Sequence, residues 1–351
     1  MRRATLARIN HPAGNSAGIS GSHHHPSVKP PPLTAALLGA VVLIAALSAG
    51  CNGVGGPDGG RAGAGAREFT LVSYNVHNLF DDRDDGTEFA GYRPGSDSWS
   101  SVEFHTKAER TADALRRIAG GGHPDIVALQ EIENEHALGV LLREYLPRSG
   151  YRWFVMPPAG GSAFRVAAVS RFAVRSARVH AFWYLWRPQR DVLELELDIH
   201  GRALTLLVNH WPSKRGGAER TAAQREFVSA GVARRVRALQ RDNHEAAVAV
   251  AGDFNMDPHE FSAEWAALSL YNPWVDQQFP GSYRFRGSWS RIDNIFLSRA
   301  AHQGVFELLS FTVVTDKGFL DRTGAPRVWF PGSSGGYSDH LPLRARLRMV
   351  P

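Results

Sequence analysis

The sequence predicts an α/β fold in which two packed β-sheets are flanked by helices. Many short apolar runs lie between residues 69 and 347, whereas only two segments show a long helical periodicity. A singly wound parallel sheet needs a helix at most crossovers, so this scarcity of helices favours two packed sheets. No linker or repeat interrupts residues 67–351, which favours one domain there.

Each predicted strand is an apolar, β-branched run bounded by turn residues. The runs are Phe69–Val76, Ile126–Gln130, Arg152–Val155, Val166–Ser170, Val192–Ile199, Leu204–Asn209, Ala247–Gly252, Ile292–Leu297, Phe306–Val314 and Leu341–Leu347.

Two long helices are predicted, at Glu103–Ala119 and Gly217–Gln240, because apolar residues recur there at helical spacing. The residues expected to face inward are Ala108, Ala112, Leu115 and Ile118 in the first helix, and Ala222, Phe227, Val228, Val232 and Val236 in the second. The arginine-rich opposite faces fit a solvated surface better than a nucleic-acid track.

The first 66 residues are expected to lie outside the folded domain. Residues 1–32 lack apolar periodicity, and the apolar run 33–47 is too short for a membrane span but suits a signal peptide. Cys51, the only cysteine, follows small residues and resembles a bacterial lipoprotein cleavage site. We therefore expect a signal peptide over residues 1–50, a lipid on Cys51 and a flexible tether over 51–66. The alternatives are secretion without a lipid anchor and an uncleaved membrane anchor.

The leader is long, and Val28 begins a stretch of ordinary signal-peptide length, so we hypothesise that translation starts at Val28. Residues 1–50 contribute +4 to the net charge of +6, because they contain four basic and no acidic residues. The remaining chain carries 36 basic and 34 acidic residues, a net charge of +2. The high isoelectric point therefore does not indicate a polyanion partner, and any attraction must come from a local patch.

Six short motifs supply the residue types that metal-dependent phosphoester hydrolysis requires. They are Ser73-Tyr74-Asn75, Leu129-Gln130-Glu131, Asn209-His210-Trp211, Gly252-Asp253-Phe254-Asn255, Arg291-Ile292-Asp293 and Ser338-Asp339-His340. Most follow or end a predicted strand, and strand ends commonly converge on one edge of a sheet. One shared site is therefore expected.

The reaction needs a divalent cation, a base that activates water and stabilisation of the leaving oxygen. Glu131 is the best single ligand for Mg²⁺ or Mn²⁺, because magnesium takes few protein carboxylates. Asp253 and Asn255 are two residues apart, so in an extended segment both face one phosphate. Asp339 directly precedes His340, which fits a positioned or charged imidazole. Each motif alone is weak, but their joint occurrence is informative.

Together these motifs, with Val166–Arg171, resemble the endonuclease/exonuclease/phosphatase superfamily over nearly all of residues 69–347. This resemblance implies the four-layer αββα sandwich of deoxyribonuclease I, with two mainly antiparallel sheets. Stretches around Asn78–Asp81, Gln130–Asn134, Asn209–Gly217 and Gly335–His340 are similar to a secreted bacterial, endonuclease-like branch.

The resemblance also implies roles for individual residues. Metal ligands would be Glu131, Asn75 and Asp339; catalytic residues would be His210, Asp253, Asn255, Asp293 and His340; and substrate-binding residues would be Asn209, Lys214, Arg215 and Arg171. In this assignment His340 contacts the scissile phosphate or acts as a base oriented by Asp293. His210 is the opposing acid or phosphate ligand.

The chain departs from the family pattern in two places. Relatives often carry an acidic residue before the strand Val166–Ser170 that supports the histidine equivalent to His210, but residues 161–165 contain no carboxylate. The tyrosine motif of abasic-site endonucleases has no clear counterpart. The protonation of His210 is therefore an open question, and a specialised DNA-repair role is disfavoured.

The preferred function is a secreted or surface-anchored endonuclease that acts on DNA or RNA. The alternatives are a sphingomyelinase-like phosphodiesterase or phosphatase acting on lipids or small molecules, and a non-catalytic binding protein. Phe182–Trp186, an aromatic run near basic residues, suits a core strand, a base-stacking platform or a lipid wedge. Nothing in the sequence implies a protein partner; the partners expected are nucleic acid and a membrane reached through lipid on Cys51.

Overall fold

Two β-sheets and two small hairpins contain the strands of the computed structural model, which describes residues 4–9, 67–160 and 162–351. The strands are β1 Thr5–Arg8, β2 Glu68–Leu79, β3 Ile126–Ile132, β4 Trp153–Met156, β5 Arg165–Ser170, β6 Ala173–His180, β7 Trp183–Tyr184, β8 Arg187–Pro188, β9 Val192–Ile199, β10 Arg202–His210, β11 Val248–Asp253, β12 Tyr283–Phe285, β13 Ser288–Ser290, β14 Asp293–Leu297, β15 Phe306–Val313 and β16 Leu343–Met349.

The helices lie between these strands. They are α1 Ser101–Ile118, α2 Glu135–Val140, α3 Ala218–Asp242, α4 Ala263–Ala266 and α5 Arg299–Gln303, with short 3-10 turns at Ala90–Tyr92, Pro258–Glu260 and Pro273–Asp276 and a π turn at Leu141–Tyr145. The hydroxyl of Ser100 caps α1 by accepting from the Val102 amide, and the turn after α1 contains Gly120 at φ 73°. Within the described ranges, no helix is long and apolar enough to cross a membrane.

Each sheet contains one parallel pair among antiparallel neighbours. The seven-stranded sheet has the order β1-β4-β5-β3-β2-β16-β15, and the five-stranded sheet has the order β14-β11-β10-β9-β6. β2 runs parallel to β3, and β10 runs parallel to β11, while every other adjacent pair in the two sheets is antiparallel. The carboxyl ends of these parallel strands carry most of the predicted site residues.

The layers follow from residue alternation along the strands. In β11, Ala249 and Ala251 belong to the core between the sheets, whereas Val248 and Val250 point to the other face and pack with Val232 of α3. α1 covers the outer face of the larger sheet with its apolar stripe. Helix, sheet, sheet and helix therefore form four layers, and the predicted αββα sandwich is confirmed.

The predicted strands and long helices are all present, with ends displaced by a few residues. The sequence analysis missed β1, β6, β8 and the β12–β13 hairpin, which are edge or surface elements with little apolar alternation. The strand β7 lies within Phe182–Trp186, for which a strand was one of three interpretations. Phe227 is a correction, because it is 36% exposed and packs against Phe182 and Tyr184 instead of entering the core.

The strand β1 corrects the expectation that all of residues 1–32 lack folded structure. It pairs antiparallel with β4, in a register from Thr5↔Met156 to Arg8↔Trp153. Backbone hydrogen bonds hold such an edge strand, so its side chains need no apolar pattern. Val28, the apolar run of the leader, Cys51 and the tether lie outside the described residues.

Candidate active site

The carboxyl ends of the two parallel pairs meet at one edge of the sandwich. Asn75 and Glu131 lie near the ends of β2 and β3, and His210 pairs with Asp253 at the ends of β10 and β11. Asp253 also pairs with Asp293, the first residue of β14. The predicted convergence of the strand-end motifs is therefore seen in the structure.

Gly252 makes this convergence possible because β11 approaches β10 closely. A Cβ on Gly252 would lie 2.0 Å from the carbonyl oxygen of Asn209, and its φ of 143° is one that other residues rarely adopt. The glycine of the Gly-Asp motif therefore sets the position of Asp253.

Asn75 links the two sheets through its side-chain amide. Its Nδ2 donates to Glu131 Oε1 at 3.2 Å and to Asp253 Oδ2 at 3.0 Å. The Asn78 amide donates to Glu131 Oε2 at 3.0 Å. His77, Asn78 and Glu131 all have positive φ, a costly conformation that clusters at functional sites.

His340 is held as a charged imidazole. Its Nδ1 lies 2.8 Å from Asp293 Oδ2, which also accepts from the Ser282 hydroxyl at 2.6 Å. Burial opposes the charge, but Asp293, Asp339 and Asp253 outweigh it and hold the pKa of His340 well above its ordinary value. The proton on Nδ1 therefore stays beside Asp293 at neutral pH.

His210 has the opposite electrostatics although it is close by. Its Nε2 lies 3.5 Å from Asp253 Oδ2 and 3.8 Å from Glu131 Oε1. Burial lowers the pKa of His210 well below its ordinary value, and the charges of Arg190 and His340 lower it further. The Phe164 ring lies 6.4 Å from the His210 ring, between centroids, and adds to this apolar burial, which favours the neutral imidazole.

Asp253 lies between the two imidazoles. Burial raises the pKa of Asp253 to about 7; Asp293 raises it too, while the charge of His340 opposes the rise. The Asn255 amide donates to Asp253 Oδ1 at 2.9 Å. A carboxyl group that titrates near neutrality is suited to accept a proton from water.

Asn255 corrects the assumption that Asp253 and Asn255 face one phosphate along an extended segment. β11 ends at Asp253, and Asn255 has a φ of 49°. The Asn255 side-chain amide donates to the Trp211 carbonyl at 3.1 Å, while Phe254 between them is buried in the core beneath α3. Asn255 therefore reaches the site through a turn.

The oxygen donors at this edge suit a divalent cation. Glu131 and Asp339 keep 15% and 33% of their side chains exposed, and both act electrostatically on Lys107 and His77. Asn75 Oδ1 accepts from the His77 amide and retains a second lone pair. Carboxylate and amide oxygens are the ligands Mg²⁺ and Mn²⁺ prefer, so these residues fit the predicted metal.

A second group, Asp253, Asp293 and His340, also has its ligand atoms within 4.8 Å of one another. All three are buried, and His340 and Asp293 are already hydrogen-bonded to each other. This group is therefore less accessible to a metal ion than the partly exposed Glu131 and Asp339.

None of the four predicted substrate-binding residues has a side chain that hydrogen-bonds the clustered residues Asn75, Glu131, His210, Asp253, Asp293 and His340. Arg171 donates to Asp125 and to the Ser149 carbonyl. Because β5 runs antiparallel to β3, Arg171 lies beside the start of β3, at the opposite edge of the sheet from Glu131. Asn209 is fully buried, and its amide bonds the Leu207 and Ala251 carbonyls, so it is structural.

Lys214 and Arg215 lie on the loop after β10. Lys214 pairs with Glu260 at 3.0 Å, and the exposed Arg215 forms no hydrogen bond or ion pair with the clustered residues. Their predicted contact with a phosphate backbone remains a prediction.

Two cations at the site were missed by the sequence analysis. Arg190 donates to the Trp211 carbonyl at 2.7 Å and acts electrostatically on His210. Lys107 is buried, donates to the Tyr337 carbonyl at 2.8 Å, and has a pKa lowered by burial to about 7. The sequence could have indicated Lys107, because it adjoins Ala108 on the apolar, inward-facing side of α1. No comparable pattern indicated Arg190.

Comparisons with known proteins agree with this geometry. A family profile described as "Endonuclease/Exonuclease/phosphatase family" matches residues 70–349. The chain has no significant match among curated proteins.

The solved structures it resembles include three distant ones. Danio rerio TDP2 complexed with single-strand DNA product is 16% identical, with 80% of this chain and 98% of that chain covered and a TM-score of 0.53. A Bacteroides thetaiotaomicron endonuclease/exonuclease/phosphatase family protein is 18% identical, with 81% and 96% covered and a TM-score of 0.53. The human Nocturnin catalytic domain with bound sulfate is 15% identical, with 81% and 95% covered and a TM-score of 0.51.

At these identities the solved structures establish the fold alone, and the profile establishes the family. From the match over residues 70–349, the chain belongs to the endonuclease/exonuclease/phosphatase family, which hydrolyses phosphodiester bonds with the help of a divalent metal ion.

Proposed function

We propose that the chain is an exported, Mg²⁺-dependent endonuclease that acts on DNA or RNA. The observation that carries the proposal is a cleft of about 250 Å³ that adjoins His210. Phe182 and Trp183 line it with aromatic rings, and Arg190 adds positive charge. A nucleobase can stack on such rings while its phosphate lies at the catalytic cluster. A structural relative that is complexed with single-strand DNA product is consistent with this substrate class.

The phosphate would lie between the two imidazoles. The His340 imidazolium and the Arg190 guanidinium would neutralise its oxygens, and neutral His210 would donate or accept a hydrogen bond through Nε2. Because the pKa of His210 is depressed, it suits a phosphate ligand better than a proton donor. The raised pKa of His340 likewise suits a phosphate contact better than a general base.

Asp253 is the best-placed base for the attacking water. Its carboxylate would take the proton as the water oxygen bonds to phosphorus and the bond from phosphorus to the leaving oxygen breaks. Glu131, Asp339 and Asn75 would hold the cation, which supplies charge neutralisation at the phosphate. Asp293 keeps His340 oriented and charged throughout.

The lipid alternative rests on a different feature, the tip of the β7–β8 hairpin. Leu185 and Trp186 are 73% and 95% exposed. Both have positive φ, a conformation for which two-residue hairpin turns usually use Asn-Gly instead of large apolar residues. An exposed leucine–tryptophan tip is suited to enter a lipid interface.

Substitutions in the two regions separate these functions. The purified protein is assayed on plasmid DNA, RNA and sphingomyelin vesicles, with Mg²⁺ or excess EDTA. We expect cleavage of nucleic acid in Mg²⁺ that Trp183→Ala weakens through KM, because Trp183 lines the cleft and Trp186 does not. Trp186→Ala is the matched control and should leave nucleic-acid cleavage unchanged. Hydrolysis of vesicles alone, with sensitivity to Trp186→Ala, would establish the lipid function instead.

We also propose that the enzyme is anchored through lipid on Cys51. Support comes from the sequence alone: the apolar run 33–47, the small residues before Cys51 and the glycine-rich stretch after it. Cys51→Ser should leave unprocessed precursor and abolish labelling by a fatty-acid probe in cells. Unchanged labelling of that variant would refute the anchor without affecting the proposed enzyme activity.

A further inference from the structure

A second acidic pocket lies beside the active site and is not used by the catalytic chemistry. The loop after β2 folds back onto the end of β3, so that Asp85 and Glu88 of the loop meet Glu133, which follows β3. Carboxylate oxygens of these three residues all lie within 4.8 Å of one another. Glu88 and Glu133 are buried, and Asp85 is at the surface. Glu131, by contrast, bonds Asn75 on the catalytic side.

The hydrogen bonds in this pocket leave one buried oxygen unpartnered. Glu133 Oε2 accepts from the Asp81 amide at 2.6 Å, but Glu133 Oε1 is buried and has no hydrogen-bond partner. Glu88 accepts from the amides of Asp85 and Gly86, at 2.5 and 3.0 Å. A buried carboxylate oxygen without a donor is costly, so an unpartnered one on a residue that meets two other carboxylates indicates a ligand.

No cation of the described chain neutralises the three carboxylates through an ion pair. Arg165 is near enough to act electrostatically on Asp85 and Glu133. Its guanidinium instead donates to the Pro157 carbonyl at 3.4 Å, and its Nε has no partner. The negative charge of the three carboxylates is therefore not balanced by cations in contact with them.

We propose that Asp85, Glu88 and Glu133 bind a Ca²⁺ ion, in a site separate from the catalytic metal. Calcium takes oxygen ligands at about 2.3–2.6 Å, so two ligands on opposite sides of the ion are about 5 Å apart, which matches the span of this group. Carboxylates from a loop and a strand end form the adaptable, all-oxygen shell that calcium accepts. Magnesium fits less well, because it retains several waters and this pocket is largely buried.

The ion would act as a clamp on the catalytic edge. Asp81, at the head of the loop, is joined to Glu133 and to Trp99, whose indole N–H donates to the Asp81 carbonyl at 2.7 Å. Asn78, whose amide donates to Glu131, lies at the end of β2 directly before this loop. Joining the loop to the end of β3 would therefore fix the backbone that positions the predicted catalytic ligand.

Terbium luminescence tests the site directly, because Tb³⁺ replaces Ca²⁺ and Trp99 is close enough to sensitise it. The full chain carrying Glu131→Gln, which removes the predicted catalytic ligand, is titrated with Tb³⁺ and then with Ca²⁺. We expect one sensitised Tb³⁺ per chain, displaced by Ca²⁺. Asp85→Asn added to that background should weaken binding by roughly tenfold or more, since ligand charge sets calcium affinity.

Asp84→Asn is the matched control, because Asp84 is an exposed carboxylate of the same loop outside the group. It should leave Tb³⁺ affinity unchanged. Glu88→Gln is a second test, with circular dichroism confirming that this buried variant folds. Absence of sensitised Tb³⁺ binding, or equal affinity in the Asp85→Asn and Asp84→Asn proteins, would overturn the proposal while leaving metal-dependent catalysis untouched.

Discussion

The pair formed by Asp293 and His340 gives the sharpest prediction about the catalytic groups. Asp293→Asn keeps the shape of the side chain but removes the charge that holds the proton on His340 Nδ1 at 2.8 Å. A hydrogen bond to a charged group contributes about 1.5–3 kcal/mol, which corresponds to a roughly ten- to hundredfold loss in kcat/KM. The loss should be milder than that of His340→Ala.

The pH dependence separates a charge effect from simple misfolding. Asp293 raises the pKa of His340, so its removal lowers that pKa, and the alkaline limb of the rate profile moves to lower pH. Ser282→Ala is the control, because it removes a neutral hydrogen bond to the same carboxylate oxygen and keeps the charge. The assay is kcat/KM for bis(p-nitrophenyl) phosphate across pH. If the Asp293→Asn profile superimposes on the wild-type profile, the assigned role of this pair is wrong.

Two further predictions address the histidines and the stability of the smaller sheet. His210→Ala and His340→Ala should each lower the rate by roughly 10²-fold or more, and the double variant by less than the product, because both act on one phosphate; strict multiplicativity in the same assay would contradict this. Burial opposes the charge of Glu194, but Arg235 and His180 lower the pKa of Glu194 to about 2. The ionised Glu194 therefore stabilises the folded state fully above its ordinary pKa of 4.5, and this contribution is lost as the pH falls toward 2. Glu194→Gln should therefore lower the free energy of unfolding in urea by about 1–3 kcal/mol at pH 7 and by little near pH 2. Glu196→Gln is the control, because Glu196 forms an exposed ion pair with Arg175, and it should lower the free energy of unfolding by less at both pH values.

The sequence predicted the site well because its residues stand at the ends of strands that pattern alone identifies. Asn75 lies near the end of an apolar run, and Glu131, His210 and Asp253 directly follow such runs. Parallel pairing of β2 with β3 and of β10 with β11 brings these residues together. Strand pairing itself was not readable from the runs. The choice of one parallel pair in each sheet became clear only in the structure.

The site residues that were wrongly predicted or missed share one physical cause. Tertiary contacts set the register of the strands and the hydrogen-bond partners of each side chain, and local sequence does not show them. Arg171 follows a motif strand but lies at the opposite edge, because β5 runs antiparallel to β3. Asn209 adjoins His210 in sequence, yet strand alternation buries its amide in the sheet. Arg190 reaches the site through the fold of its loop, and no local pattern indicated that.

The proposed mechanism requires Glu131 to support metal-dependent phosphodiester hydrolysis at this edge of the sandwich. The most direct measurement is the rate on bis(p-nitrophenyl) phosphate for the wild-type protein and Glu131→Gln, first in excess EDTA and then with Mg²⁺ or Mn²⁺ restored. The mechanism predicts no wild-type activity in EDTA, full recovery with the metal, and a rate for Glu131→Gln lower by about two orders of magnitude or more. Full hydrolysis in EDTA, or equal rates for the two proteins at saturating Mg²⁺, would contradict it.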